Sequence, residues 1–363
     1  MKILLLGHNH ASTMNSLKVG LEENGVDVRA ISYDLNRSVY CNYSDIHCIY
    51  PSFLKSKKRI LKGILWRFYA TKSLIRLVFN LIRADVVINF SFPALQLFYD
   101  TSLQSSFELY LIDKCVKRKF VWFTGSDIRN PEIELSINPY FKHAWENPGY
   151  EYRLSESAEN SDKLQSLFKK NHFSAIVWDM SEFINKNIFP NHIIVPHASF
   201  LNIPQTHNPS SKIRIVHAPS APVAKGSNFI IPVIERLQKE RNDFEFHLLQ
   251  DISNKEYQLK LAEADVLIDQ IIWGGYGVAS MQALEAGKVV LAYLWESRIN
   301  QIYGAHCPVV NVNPDTLYEK LNEILDSKDL DRIKRSGQDY YQNLHSPTVV
   351  AKMLMDKISN NIT

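Results

Sequence analysis

The stretch 265–291 holds the pattern in this sequence that is best suited to binding a charged ligand. An apolar segment ends at Asp269, and the turn that follows contains Gly274, Gly275 and Gly277 before a small-residue, helix-like stretch. Glycines let a backbone approach a ligand closely, and the first N–H groups of a helix favour phosphate or another anion. The same glycines would also serve a strand–helix turn that binds nothing, so this pattern alone leaves both interpretations open.

Two shorter motifs flank this turn. Lys225-Gly226 follows an apolar segment at 213–217, and Gly287-Lys288 opens the apolar segment that comes after the helix-like stretch. A lysine ammonium is a compact point charge that suits a phosphate group. Taken alone, a lysine in a loop is more often exposed to solvent than bound to a ligand.

Together, these motifs resemble the donor-binding signature of family 4 (group 1) retaining glycosyltransferases, which have the GT-B fold. That signature contains K-G after a strand, a glutamate before G-F/Y-G, a second glutamate, and a helix that ends in G-K-P-V. The two glutamates fall on Gly274 and Gln282, and residues 220–224 lack the arginine that usually precedes the lysine. The resemblance implies a nucleotide-sugar site formed by Lys225, Gly226, Gly275, Tyr276, Gly277, Gln282 and Glu285.

Two of these side chains are candidates to contact the donor ribose. Gln282 can hydrogen-bond a ribose hydroxyl, but without charge assistance, a loss of about 1 kcal/mol relative to glutamate. Glu285 lies one helical turn later on roughly the same face and could replace the carboxylate. A partly exposed helix residue is the alternative interpretation of Glu285.

A candidate sugar-binding loop follows the predicted strand at 119–123. Gly125-Ser126-Asp127-Ile128-Arg129 resembles the H-G-S-D-I-R segment of some family members, with Thr124 in place of the histidine that faces the sugar. The resemblance implies that Asp127 hydrogen-bonds sugar hydroxyls and that Arg129 lies near the acceptor. Equally, Ser126 or Asp127 could only cap a helix or turn.

The loop after the first predicted strand reads Gly7-His8-Asn9-His10-Ala11-Ser12. Open α/β sheets bind ligands at this edge, so one of the two histidines is a candidate for sugar or acceptor contact and the other for an ordinary surface residue. We assign Asp127 and His10 as candidate catalytic residues and Gly7, His8 and Arg129 as candidate acceptor contacts.

The same loop disfavours a nicotinamide or flavin enzyme, because it has one glycine where a dinucleotide fingerprint requires G-x-G-x-x-G. We find no metal-ligand cluster in the sequence and expect neither a metal nor a cofactor. In transfer with retention, as the resemblance implies, cationic and backbone donors stabilise the leaving diphosphate.

Strand and helix patterns alternate in two series, which predicts an α/β protein with two Rossmann-like, doubly wound domains facing across a cleft (GT-B). The predicted domains are an N-terminal acceptor-side domain at 1–202 and a C-terminal nucleotide-sugar-binding domain at 213–335, joined by a Pro- and Asn-containing linker at 203–212. A helical segment at 336–363 follows and could pack back on the N-terminal domain. Predicted strands lie at 2–7, 27–31, 84–90, 119–123, 174–178, 192–195, 213–217, 244–249, 265–268 and 288–293, and predicted helices at 12–23, 227–240, 255–263 and 277–286.

Composition places the chain among globular proteins. Its 363 residues are 45% hydrophobic and 22% charged, enough for two domains of ordinary size. The four cysteines are far apart in the sequence, which favours a reducing cytosol over a disulfide framework. No segment approaches the roughly 20 apolar residues of a membrane-spanning helix.

A basic segment at 53–83 suggests a partner for the first half. The stretch 46–84 contains no acidic residue, while nine lysines and arginines alternate with apolar residues at helical spacing. Such a helix can lie on anionic lipid, or it can pack on the sheet and leave its cations in water. Nucleic acid is disfavoured, since the pI is about 8.5 and we identify no binding motif.

These features predict a cytoplasmic glycosyltransferase, with peripheral attachment to the inner membrane face as a further expectation. It would move a sugar from a nucleoside-diphosphate sugar to a glycan acceptor, lipid-linked by expectation, in surface polysaccharide biosynthesis. The alternative is a catalytically inactive relative that serves as a partner or binding subunit, which the missing glutamates, arginine and histidine favour.

Overall fold

The computed structural model describes residues 1–9, 12–34, 46–49, 59–91, 101–125, 127–201 and 212–360. The candidate His10, residues 53–58 of the predicted basic segment and nearly all of the predicted linker 203–212 lie outside the described residues. Within these ranges no helix is both long enough and apolar enough to cross a membrane.

The described strands pair only in parallel, so most are buried on both faces and their sequences are continuous apolar runs rather than alternating ones. The strands are β1 (Lys2–Gly7), β2 (Asp27–Asp34), β3 (Ile46–Ile49), β4 (Val86–Phe90), β5 (Arg118–Trp122), β6 (Ser174–Val177), β7 (Ile193–Ile194), β8 (Ile213–His217), β9 (Phe244–Leu248), β10 (Val266–Ile268), β11 (Val289–Ala292) and β12 (Val310–Asn311).

Helices connect these strands and cover the sheets. They are α1 (Thr13–Glu23), α2 (Arg59–Arg83), α3 (Thr101–Cys115), α4 (Pro131–Ile137), α5 (Phe141–Trp145), α6 (Ala158–Lys170), α7 (Pro222–Lys225), α8 (Ser227–Glu240), α9 (Asn254–Glu263), α10 (Val278–Glu285), α11 (Glu296–Arg298), α12 (Leu317–Asp326), α13 (Leu330–Leu344) and α14 (Pro347–Asn360). The predicted elements at 2–7, 213–217 and 227–240 coincide with β1, β8 and α8.

The chain forms two compact units. The first contains residues 1–128, 159–198 and 347–363, and the second contains residues 129–158 and 199–346. These units differ from the predicted ranges in three places, the first being residues 199–201, which belong to the second unit although they lie within the range 1–202. Residues 129–158 belong to the second unit although they lie within the range 1–202, and residues 336–346 belong to the second unit rather than to a separate C-terminal segment.

The first unit has a seven-stranded sheet in the order β3-β2-β1-β4-β5-β6-β7. Because β1 has β2 on one side and β4 on the other, the order reverses between β1 and β4. The second unit has a five-stranded sheet in the order β12-β11-β10-β8-β9, which reverses between β8 and β10. Both units are therefore doubly wound α/β layers, and each has a ligand-binding position at the carboxyl ends of its central strands.

The core of the first unit is completed by its most C-terminal segment. Val350, Ala351, Leu354 and Ile358 of α14 are fully buried with residues of β1, β4 and α1. Helix α14 approaches α1 so closely that a β-carbon on Gly20 would lie 1.9 Å from the carbonyl oxygen of Pro347. Gly20 is therefore required by backbone packing.

This close approach makes Gly20→Ala a test of the α1–α14 contact. Glycine to alanine in a helix interior ordinarily stabilises by about 1 kcal/mol, whereas here the backbone at Pro347 must move, and we expect a loss of about 2 kcal/mol or more. Urea unfolding followed by circular dichroism measures the difference. Glu22→Ala on the exposed face of α1 is the control and should change stability by less than about 1 kcal/mol. An alanine variant as stable as the native chain would contradict the close approach.

Candidate functional site

The candidate site of the second unit lies at the carboxyl edge of its sheet, where β8 and β10 are neighbours. The chain leaves β8 through residues 218–226, which carry Lys225, and leaves β10 through residues 269–277, which contain the glycine-rich turn. These two loops flank the point at which the strand order reverses, the position where open α/β sheets bind ligands. The fold thus brings the predicted Lys225-Gly226 motif beside the predicted glycine turn.

Asp269, the first residue after β10, joins the two loops. One oxygen of its buried carboxylate lies 2.5 Å from Lys225 Nζ. The other accepts hydrogen bonds from the Ser280 hydroxyl at 2.7 Å and from the Gly277 N–H at 3.1 Å. A single carboxylate therefore fixes the candidate phosphate-binding lysine, the last glycine of the turn and the first turn of α10 relative to one another.

The protonation of Asp269 follows from these partners. Burial acts to raise the pKa of its carboxyl, but the Lys225 ammonium and the hydrogen bonds from Ser280 and Gly277 outweigh burial, so the pKa lies below its ordinary value. The pair is thus an ionised carboxylate and an ammonium, both nearly inaccessible to solvent. An ammonium has three N–H donors, and Asp269 occupies one of them.

Glycine is needed at Gly226 for conformational and steric reasons. Its φ is +83°, in the left-handed region, and a β-carbon there would lie 2.8 Å from the Ile271 side chain. This residue links α7 to α8 and lets the Lys225 loop pack directly on the loop after β10. The predicted Lys-Gly motif is therefore accounted for by packing as well as by any ligand.

A buried histidine lies directly beneath this site. His217, the last residue of β8, donates from Nδ1 to the Ile268 carbonyl oxygen at 2.8 Å, so its unprotonated Nε2 accepts from the Ser227 hydroxyl at 2.8 Å. Burial, aided by the positive charge of Lys225, lowers the pKa of His217 to about 4. His217 is thus a neutral structural link between β8, β10 and the start of α8.

Tyr276 does not have the role that the sequence predicts. Its side chain is 2% exposed, its hydroxyl lies 2.7 Å from Nε2 of His345, and its ring packs 4.6 Å from that of Tyr303. Its hydroxyl and its ring are therefore both occupied by protein partners rather than open to a donor. We therefore correct its predicted role, because Tyr276 anchors the glycine turn to the residues after α13, and only its backbone faces the turn.

Glu285 is likewise engaged elsewhere. One of its carboxylate oxygens accepts the Leu201 N–H at 2.6 Å. Burial raises the pKa of Glu285 to about 7, and the hydrogen bond from Leu201 only partly opposes that effect. Its predicted contact with the donor ribose is corrected accordingly, since the side chain ties α10 to residue 201. Gln282 is 5% exposed, and its side chain makes no hydrogen bond among the described residues.

Residues 129–158 support both loops of the site. The Glu151 carboxylate accepts the N–H groups of Val223 and Ala224 at 2.9 and 3.1 Å, directly before Lys225. The Asn138 amide donates to the Ile272 carbonyl oxygen at 2.7 Å, in the loop after β10. Each loop is therefore fixed both by Asp269 and by a side chain of residues 129–158.

Arg129 belongs to this supporting segment. It is 2% exposed, pairs with the buried Glu156 at 2.8 Å and lies 3.8 Å from the centre of the Trp273 ring. Because Glu156 and the Trp273 ring both engage this guanidinium, Arg129 does not reach an acceptor, and its acceptor-binding assignment is corrected. The motif that suggested it spans the boundary between the two units, and Arg129 is the first residue of the second unit.

The first unit carries its candidates at the reversal between β1 and β4. Gly7 ends β1 with φ +118°, and His8 follows it at intermediate exposure. The Asp127 carboxylate bonds to the Ser91 hydroxyl after β4 and accepts the Gly125 and Thr124 N–H groups at 2.7 and 3.1 Å. These contacts favour the turn-capping interpretation of Asp127, and its catalytic role remains a prediction.

Sequence reasoning missed Asp269, Ser280 and His217 as members of the site. Asp269 carried a signal, since a charged residue at the end of an apolar strand lies at the ligand-binding edge. Ser280 and His217 cannot be distinguished from ordinary helix and strand residues in the sequence, because their partners come from other elements.

Comparison with known proteins supports the fold. No protein-family model and no curated protein sequence matches this chain. Sucrose-phosphate synthase from Thermosynechococcus elongatus is a similar solved structure, with 10% identity over 99% of this chain and 98% of that chain and a TM-score of 0.56. A glycosyltransferase from Rickettsia africae ESF-5 shows 12% identity, 99% and 97% coverage and a TM-score of 0.57.

A third similar structure is an alpha-glucosyltransferase in complex with UDP-glucose and DNA containing an abasic site, with 11% identity, 99% coverage of both chains and a TM-score of 0.57. At such low identities the similarity concerns the fold alone. The chain has the GT-B fold of two Rossmann-like domains, as the sequence predicts. Its assignment to family 4 stays a prediction.

The Lys225–Asp269 pair can be tested with a double-mutant cycle. Lys225→Met and Asp269→Asn each leave one buried polar partner uncompensated, and each should lower the free energy of unfolding by about 3 kcal/mol. The double variant should lose clearly less than the sum of the two, because the unpaired charge is gone. Urea denaturation of the four proteins measures the coupling. Additive losses would show that the two side chains do not interact.

Glu285 gives the stability a defined pH dependence. A carboxyl whose pKa rises on folding, here from 4.5 to about 7, makes the folded state less stable as the pH rises through that window. Glu285→Gln should therefore be more stable than the native chain at pH 8, on the order of 1–2 kcal/mol, and should lose this advantage at pH 4.5. Thermal unfolding at the two pH values measures the difference. Glu235→Gln, at an exposed position of α8, is the control, and an advantage that does not change with pH would refute the burial of Glu285.

Proposed function

We propose that this protein is a glycosyltransferase that takes a sugar from a nucleoside-diphosphate sugar bound to its second unit. The observation that carries the proposal is the arrangement of Lys225, Asp269 and the first turn of α10 at the reversal of strand order in a GT-B fold. A lysine held beside the N-terminus of a helix offers one charge and several N–H donors to a diphosphate.

In the proposed complex, the donor diphosphate lies between Lys225 and the start of α10. Gly226, Gly275 and Gly277 let the backbone approach it, and two N–H donors of Lys225 remain for phosphate oxygens while the third holds Asp269. Gln282, one helical turn into α10, supplies an amide to the ribose. We include neither a metal ion nor a cofactor in this complex, and the N–H donors of Lys225 and of the start of α10 are the groups that meet the phosphate oxygens.

The reaction we propose retains the configuration of a hexosyl donor. The bond between the anomeric carbon and the diphosphate oxygen breaks, and the acceptor hydroxyl oxygen forms the new bond on the same face of the sugar. The hydroxyl proton passes to the departing diphosphate. Lys225 and the N–H groups of α10 stabilise the negative charge that develops on the leaving group, which is where electrostatic catalysis acts most strongly.

We place the acceptor on the first unit, at the loop after β1. Gly7 and His8 lie at the reversal of strand order there, and Asp127 fixes the neighbouring loops through Ser91. His10 is the candidate for the group that faces the reacting sugar. A lipid-linked glycan of a surface polysaccharide, met at the cytoplasmic face of a membrane, is the acceptor we propose.

A second candidate function is a binding subunit without catalytic activity. The observation that favours it is the pairing of Lys225 with Asp269, which compensates the charge that the diphosphate would need. Gly274 and Gln282 also stand where the family signature has glutamates. The two candidates differ in whether a donor is consumed.

Nucleotide binding and donor hydrolysis test the proposal. We expect UDP, GDP or another nucleoside diphosphate to bind in isothermal titration calorimetry without added metal. Lys225→Met should weaken this binding by tenfold or more, and Lys239→Met, at an exposed position of α8, should leave it unchanged. Circular dichroism verifies that each variant is folded at the assay temperature. Binding without hydrolysis or transfer would support the inactive subunit, and the absence of any nucleotide binding would refute the transferase.

The substitution Gln282→Glu tests the proposed ribose contact by strengthening it. A carboxylate at this position would accept a ribose hydroxyl with charge assistance and should tighten nucleoside-diphosphate binding several-fold. Nucleoside monophosphates keep the ribose but lack the second phosphate, and their affinity for the variant should rise by a similar factor. Unchanged affinity for both would show that Gln282 does not face the ribose.

A further inference from the structure

Helix α2 carries an apolar stripe on its solvent side. Phe68, Ile75, Phe79 and Ile82 are 73%, 63%, 51% and 70% exposed. They follow one another at spacings of seven, four and three residues, which keeps them within about 60° of one another around the helix axis. The opposite side of α2 packs in the core through Leu77 and Leu81, both 0% exposed. The stripe is thus not the side that holds the helix to the sheet.

Cations flank this stripe. Lys72, Arg76 and Arg83 are exposed and lie along one side of it, within about 80° of Phe68, and Arg67 lies on the other side. No acidic residue occurs anywhere in α2. The Arg83 guanidinium lies 4.7 Å from the centre of the Phe79 ring, so basic and apolar groups form one mixed surface.

The neighbouring helix also carries exposed aromatic side chains. Helix α3 packs beside α2, and Phe107 and Tyr110 on it are 36% and 53% exposed. Lys114 lies 5.5 Å from the centre of the Tyr110 ring. Exposed aromatic and branched apolar side chains grouped in this way are uncommon on a surface that meets only water, and they mark an interaction site.

A cavity of about 160 Å³ lies at the C-terminal end of α2. Lys2, Arg29 and Arg83 line it together with a single acidic residue, Asp27. Asn80, on the basic side of the stripe, also lines it and accepts a hydrogen bond from the Arg29 guanidinium at 3.2 Å. The row of cations on α2 therefore leads to a pocket with a surplus of positive charge, which suits a phosphate group.

We propose that the exposed face of α2, extended by α3, docks on an anionic phospholipid bilayer by inserting its apolar stripe. The stripe would enter the boundary between headgroups and acyl chains, and the flanking cations would remain at the level of the lipid phosphates. The cavity at the end of α2 would take a headgroup phosphate. Charge complementarity selects this partner, because four cations without one acidic residue match an anionic surface and the apolar stripe has no place on a nucleic acid.

The proposal deepens the proposed function, since it supplies the surface on which a lipid-linked acceptor would be met. Its mechanism differs from attraction by charge alone. Attachment by charge is screened by salt, whereas inserted apolar side chains hold the protein at high ionic strength. The face is also separate from Lys225, which belongs to the second unit.

Vesicle flotation of the full chain tests the proposal. We expect binding to vesicles of phosphatidylcholine with 30% phosphatidylglycerol in ~0.1 M NaCl, with a measurable part retained in ~0.5 M NaCl. Phe68→Ser/Ile82→Ser should weaken partitioning about tenfold or more and remove the salt-resistant part. Lys72→Gln/Arg76→Gln should weaken binding to the anionic vesicles about 25-fold in low salt, since each cation near the surface contributes about fivefold.

Matched controls lie in the second unit. Leu154→Ser changes a residue that is 98% exposed, and Lys239→Gln/Lys328→Gln removes two exposed cations, so neither should alter flotation. The proposal is overturned if the native chain does not bind anionic vesicles, or if high salt removes all binding and the serine variant binds like the native chain. Self-association that the serine variant abolishes, measured by light scattering, would instead assign the stripe to a second copy. Nucleotide titration without vesicles tests the donor site separately.

Discussion

The ion pair between Lys225 and Asp269 is the interaction on which the candidate site depends. Two neighbouring parallel strands end at the same edge, and each continues into a loop with little regular structure of its own. A buried carboxylate must find partners, and Asp269 finds them in both loops and in the first turn of α10. The cost of leaving either charge unpaired keeps the loops together, and residues 129–158 hold each loop through Glu151 and Asn138. These contacts fix the two loops and the first turn of α10 relative to one another.

The sequence predicts the architecture better than the roles of single residues, for a physical reason. Buried parallel strands are apolar on both faces, so β1 and β8 can be predicted from local composition. Helix α8 can be predicted from its apolar periodicity. The position of Lys225 beside the glycine turn follows from topology together with a motif. By contrast, the burial of Tyr276 and the engagement of Glu285 depend on partners 69 and 84 residues away. The role of Arg129 depends on which unit it joins, and no local pattern encodes that choice.

The chain shares the GT-B fold with solved structures to which its sequence is only 10–12% identical. Such similarity persists because parallel doubly wound sheets require apolar strands and helix faces rather than particular side chains. Activity resides instead in the few groups at the strand ends. At those ends this chain keeps the glycines and the lysine of the signature, and it has Gly274 and Gln282 where the signature has carboxylates. Its glycines therefore match the signature better than its charged residues do.

The order of segments in the first unit also bears on how the protein is made. Its sheet begins with β1 at residue 2, yet its core is closed by Val350, Leu354 and Ile358 of α14. A ribosome that has completed β1 to β7 still has to synthesise residues 199–346 of the second unit before α14 emerges. Until then, the surface of α1 around Gly20 stays uncovered. All residues of the second unit lie within 129–346, so they are synthesised before α14. Translation therefore favours completion of the second unit before the first, the reverse of their order of appearance.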